Sequence, residues 1–126
     1  MFWIVALAVP LLGAAIHVAS LTATPSAEAI GSIGLLWLAA VFYGAVTLLA
    51  GLQHLLTPDR VAKHIGWPTG SGFQRELARA EIGIGVAGML APWLGPRYAL
   101  GPCIAGAILY LGAAVGHVQE LVKQKI

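Results

Sequence analysis

IGLLWLAAVFYGAVTLLAGLQHLL, residues 33–56, carries no Asp, Glu, Lys or Arg. It exceeds the roughly 20 apolar residues that a helix needs to cross a hydrocarbon core of about 30 Å. Thr57-Pro58-Asp59 follows, and the proline cannot continue the helix. Working outward, apolar runs at about residues 2–21, 73–94 and 99–122 flank this stretch. The expected fold is an all-α polytopic membrane protein. The 126 residues form one domain, a bundle of four transmembrane helices.

Composition agrees. Only 10% of residues are charged, against about 25% in an ordinary soluble domain, and the mean hydropathy is +0.85. Spans and short loops use nearly the whole length, which leaves no room for a soluble catalytic domain. The formal charge of +2 contains no long basic run, so no nucleic-acid partner is expected. Basic residues flanking the spans account for it, and the lipid bilayer is the first partner. The single Cys103 cannot form an internal disulfide and reads as a small packing residue. Residues 1–20 lack a basic n-region and exceed the usual signal-peptide core. They read as a retained span, although Ala-Glu-Ala at 27–29 imitates a cleavage site.

Along the chain, Pro10 and Gly13 fall inside the first span, where the proline is expected to kink it. Residues 22–32 form a loop of small and polar residues. Residues 59–72 form the one substantial loop, with a short interfacial helix presenting Val61, Ala62 and Ile65. Gly66-Trp67-Pro68 and the following Thr-Gly-Ser-Gly supply turn chemistry, with Trp67 at headgroup level. Gly83, Gly85 and Gly88 punctuate the third span; Gly101, Gly106, Gly112 and Gly116 punctuate the fourth. Small residues let membrane helices approach closely.

Basic residues are absent from 22–32 but present as Arg60, Lys63 and Arg75 around the long loop. Arg79 lies just inside the third span, and Lys123 and Lys125 form the tail. The positive-inside rule then places both termini and the long loop in the cytoplasm.

The remaining polar residues crowd that same end. His54 closes the second span, Glu76, Arg79 and Glu81 open the third, and His117 and Glu120 close the fourth. Tyr43, Thr47, Ala50 and His54 share one helical face, as do Tyr110, Ala113, His117 and Glu120. Glu76 and Arg79 are an i, i+3 pair able to neutralise each other. Glu81 is the deepest acid and is expected to face the bundle or be protonated. His17 stands apart, a lone polar residue near the outer end of the first span.

The simplest account is that these groups satisfy one another and the loop's backbone. The alternative is a functional pocket open to the cytoplasm. His54, His117 and Glu120 are then candidate ligands of a metal such as zinc. Two histidines on different helices could also ligate a haem iron, with Arg79 near a propionate. A Glu81–His117 acid/base pair would suit chemistry on a lipid, although the spacing identifies no reaction. No cofactor is the first expectation.

The segment His64-Ile65-Gly66-Trp67-Pro68-Thr69-Gly70-Ser71-Gly72-Phe73-Gln74-Arg75-Glu76 resembles the signature of an uncharacterised family of small bacterial membrane proteins, close to IGWPxGSPFQxE. Residues 111–117, LGAAVGH, are similar to that family's second block. The resemblance covers roughly residues 51–121, and the four-span plan is loosely similar to DoxX-like proteins. It implies a bacterial inner-membrane location and marks Trp67, Pro68, Gln74, Glu76 and His117 as family-like positions. Gly72 stands where the family usually has Pro, and Glu81 where Asn is more usual, which counts against a shared catalytic acid there. Relatives often continue beyond the point where this sequence stops. No activity carries over.

The expected function is non-enzymatic: an accessory subunit of an inner-membrane assembly, with a membrane-protein partner or self-association. The alternative is a membrane enzyme or metal- or haem-binding protein using the cytoplasmic-side pocket, and the third reading is a small oligomeric transporter. The charge asymmetry is directly testable. A cysteine introduced at Ser26 should react with an impermeant thiol reagent from the periplasmic side, and one at Thr69 should not. The reverse pattern refutes this orientation.

Overall fold

Ser26 sets the first long helix. Its Oγ accepts a hydrogen bond from the Ala29 amide at 3.1 Å, and Glu28 sits in the first turn, where the helix dipole favours an acid. The helix therefore begins at Ala27, inside the stretch expected as a loop, and runs to Leu56. The computed structural model describes residues 2–124, so Lys125 of the expected basic tail lies outside the described residues. Helices α1 (Phe2–Ala19), α2 (Ala27–Leu56), α3 (Pro58–Ile65), α4 (Phe73–Leu94) and α5 (Pro96–Gln124) follow in order, with no strand among the described residues. Three of them, α2, α4 and α5, are long and apolar enough to cross a membrane. α1 is apolar but shorter.

Within α2, residues Leu38–Val46 form a π-helix. Its wider turn is a rare arrangement that recurs at functional positions. Thr47 Oγ1 reaches back five residues to donate to the Phe42 carbonyl at 3.1 Å.

Against this segment the α4 backbone comes into direct contact. A Cβ on Gly88 would lie 2.5 Å from the Ala39 carbonyl oxygen, and one on Gly85 would lie 2.6 Å from the Leu48 nitrogen. From the other side, a Cβ on Gly44 would lie 2.9 Å from the Met89 nitrogen, and one on Gly51 would lie 2.9 Å from the Ala78 carbonyl oxygen. Between apolar helices in lipid, dispersion at short range replaces the hydrophobic effect as the force of association. The buried face of α4 is Gln74, Ala78, Glu81, Gly85, Gly88 and Ala91. These residues are spaced mostly by four and three, the stripe of a packed seam. Gln74 and Glu81 thus occupy seam positions and are buried by the same packing.

α5 joins through Ala99 and Cys103, which cluster with Ala39 and Ala91. Gly106 leaves room for the Tyr43 ring, which lies where a Cβ would stand. α1 runs unbroken through Pro10, which is fully buried. Gly13 receives the Trp37 ring, and Trp37 Nε1 donates to His17 Nδ1 at 3.3 Å. His17 is therefore not a lone polar residue, as expected from its position, but a partner that docks α1 on α2.

The connection after α2 is fixed rather than open. α3 presents Ala62 to the interior, fully buried. Gly66, at φ +80°, ends it in the left-handed conformation that suits glycine, and the Trp67 amide donates to the Ala62 carbonyl at 2.8 Å. The Gly70 amide donates to Asp59 Oδ1 at 3.0 Å, tying the turn back to the start of α3.

The backbone contact predicts a sharp contrast. Gly88→Ala should lower thermal stability in detergent, with an overpacking cost of about 1–3 kcal/mol. Gly112→Ala, where a Cβ meets nothing within 4 Å, should be neutral or slightly stabilising through helix propensity. Equal melting temperatures for the two variants would refute the α2–α4 contact.

Candidate functional site

Because the seam of α4 carries Gln74 and Glu81, both face α2 near its last turns. The step from Thr47 through Ala50 to His54 sets His54 opposite them. His54 Nδ1 lies 2.5 Å from Gln74 Oε1. An amide oxygen only accepts, so the imidazole donates through Nδ1. His54 Nε2 then faces Glu81 Oε2 at 3.9 Å, too far for a hydrogen bond. Gln74 is 1% exposed and Glu81 is 5% exposed. Gln74 Nε2 and Glu81 Oε2 have no hydrogen-bond partner. Buried polar atoms without partners are uncommon and costly.

Beside this trio lies a cavity of about 340 Å³, near the small end of the roughly 300–1,000 Å³ typical of ligand clefts. His54, Glu81, Tyr110 and His117 supply its polar groups, and Trp3, Phe42 and Trp67 supply aromatic wall. Ala50, Ala113 and Ala114 keep it open by being small. Ala113, Ala114 and His117 are themselves exposed, so the cavity opens along α5.

The walls are held in place. The Tyr110 hydroxyl lies 2.9 Å from Thr47 Oγ1. Thr47 gives its own proton to Phe42, so Tyr110 is the donor of that pair. The Tyr110 ring packs against Trp3, Phe42 and Tyr43, with centroids 5.6, 5.6 and 6.3 Å away. Trp67 stacks on His117 at 6.2 Å and leans on Phe73 at 5.8 Å. The turn that begins with Gly66 therefore delivers Trp67 to the cavity wall, while Pro68 remains exposed beside it.

The structure divides the expected polar set. His54, Glu81 and His117 come together at the cavity. Glu76 and Arg79 are exposed, line no part of it and form no ion pair with each other among the described residues. Their positions fall off the α4 seam, and at exposed sites they face outward. Glu120 is exposed and pairs with Lys123 at 2.9 Å, a surface ion pair of small energetic weight. Among the described residues no group of three His, Cys, Asp or Glu is placed to hold a metal ion. Glu120 does not join His54 and His117 at the cavity, so that candidate ligand set does not assemble. Arg79 likewise does not reach the cavity, so it is not placed beside a group held there.

Gln74 enters the cluster from what reads in sequence as a loop motif. The signal for it is the spacing of Gln74, Ala78, Glu81, Gly85 and Gly88, which puts the two polar residues in line with the small ones. Thr47 and Tyr110, which in sequence share helical faces with His54 and His117, are joined by a hydrogen bond. No pattern in the sequence pointed to Trp3.

The trio yields a coupling prediction. Gln74→Leu should destabilise the protein by about 1–3 kcal/mol, because the buried Nδ1 donor of His54 loses its acceptor. Adding His54→Leu should recover part of that loss. Additive losses in a double-mutant thermal cycle would show that the two side chains do not interact.

No curated protein and no solved structure matches the chain. The model of a family of unknown function (DUF6790) matches residues 1–125, and the chain belongs to that family.

Proposed function

We propose that this chain is a four-span protein of a bacterial inner membrane that binds a small amphipathic molecule at the cytoplasmic end of its bundle. The single observation that carries this reading is the cavity of about 340 Å³. It combines an aromatic wall with a buried His54–Glu81 pair whose hydrogen bonding is incomplete. In this reading α1 is the fourth span: its 18 residues reach about 27 Å at 1.5 Å per residue, close to the thickness of the hydrocarbon core. Arg60, Lys63 and Arg75 support the cytoplasmic assignment of the cavity end.

A binding role fits better than catalysis. The cavity holds an acid and two imidazoles but no activated nucleophile, and nothing orders them against a reacting atom. A second reading, an accessory subunit of a membrane assembly, is favoured by the exposed end of α5. A Cβ on Gly112 or Gly116 meets nothing within 4 Å, and Leu111, Val115, Val118 and Val122 are exposed beside them.

The binding reading is tested with 4-bromobenzyl alcohol, a neutral amphiphile whose bromine quenches tryptophan fluorescence. In nanodiscs the quenching should saturate, because Trp3 and Trp67 line one finite site. Ala50→Phe should fill that site and abolish the saturable part while preserving the melting temperature. Quenching that rises linearly in both proteins reports only partition into lipid and would refute the binding role.

A further inference from the structure

The cavity is asymmetric in charge. Among the described residues, Glu81 is the one acid that lines it, and no Lys or Arg does. A carboxylate at this depth is costly unless something compensates it. Its own surroundings compensate it incompletely. Glu81 Oε2 lacks a hydrogen-bond partner, and His54 Nε2 stands 3.9 Å away. With Nδ1 as donor to Gln74, an imidazole that carries one proton turns an acceptor toward an acceptor.

The rest of the wall points to what compensates the carboxylate. Trp3, Phe42, Trp67 and Tyr110 line the same space. Aromatic faces attract cations within about 6 Å of their centroids, Trp most strongly. Of simple ligands, an anion would meet Glu81 unfavourably, and a neutral amphiphile would leave its charge uncompensated.

We infer that the ligand of this cavity is an organic monocation, an ammonium group on a small aromatic or aliphatic body, with Glu81 as its counter-ion. The inference rests on the binding role proposed above and names the chemical class that the site selects. His54, oriented by Gln74, positions the Glu81 carboxylate, and the aromatic wall holds the apolar body and the methyl groups of the cation.

Two near-isosteres separate charge from shape. Benzyltrimethylammonium carries a permanent positive charge, and neopentylbenzene replaces its nitrogen by carbon. Each is titrated as a competitor of the saturable 4-bromobenzyl alcohol signal in nanodiscs of zwitterionic lipid. The cation should displace the alcohol at a concentration at least about tenfold below that of the hydrocarbon, after both are corrected for partition into lipid. Glu81→Gln should erase that preference when each displacement is normalised to the variant's own alcohol saturation curve, and Glu81→Asp should retain it. The aspartate variant controls for a glutamine variant that fails to fold. Equal or better displacement by neopentylbenzene, with the alcohol still saturable, overturns the cation assignment and leaves the cavity as a neutral-ligand site. Absence of any saturable signal in the unmodified protein overturns both.

Discussion

Everything in this structure depends on how closely the backbones of α2 and α4 approach. In water, two such helices would be driven together by their side chains. In lipid that drive vanishes, since the surrounding tails are as apolar as leucine. What remains is short-range dispersion, and it demands residues without bulk. Gly44, Gly51, Gly85 and Gly88 meet that demand. The same closeness commits every other residue on the seam to burial. Gln74 and Glu81 are buried because glycine neighbours bring α2 onto them.

The all-helical character was legible from hydropathy: three of the four expected spans are helices long and apolar enough to cross a membrane, and the first is shorter. Residues 33–56 and 73–94 lie within helices as expected. The turn residues Gly66 and Gly70 take the positive φ that their sequence context suggests. The early start of α2 was missed because Ala27, Glu28 and Ser32 look loop-like in isolation. Hydropathy does not register a serine cap. The site was less legible, for a geometric reason. Spacing along a helix tells which residues share a face, but not toward which neighbour the face is turned. Glu76 and Arg79 are well spaced for each other and still face outward. Gln74, two residues earlier than Glu76, faces inward because it falls in register with Ala78 and Glu81. Small residues carried the missing information about direction.

The polar interior is organised in two tiers. Thr47 and Tyr110 close a chain that ends on the Phe42 carbonyl, and in it every hydroxyl proton has a destination. That tier is complete and fixes the rings of the wall. The His54–Gln74–Glu81 tier is incomplete, with one amide nitrogen and one carboxylate oxygen unpartnered. A complete network rigidifies, while an incomplete one leaves buried polar atoms whose loss of water is not repaid. The two tiers sit side by side, so a rigid aromatic wall faces a polar edge with unused capacity.

The π-helical stretch Leu38–Val46 has a further consequence for how this sequence can change. Converting that stretch to α-helix at unchanged length would rotate everything after it, because a wide turn holds more residues than an α-turn. Each residue in an α-helix advances the chain by about 100°, and a residue in the wide turn advances it by less. Thr47 would leave Tyr110, His54 would leave Gln74, and Gly51 would rotate out of the seam. The segment therefore acts as a phase setter for the last part of α2. Losing its wide turns would alter the aim of residues as far on as His54, about two turns beyond its end, whereas a change of length in the connection between α1 and α2 turns nothing.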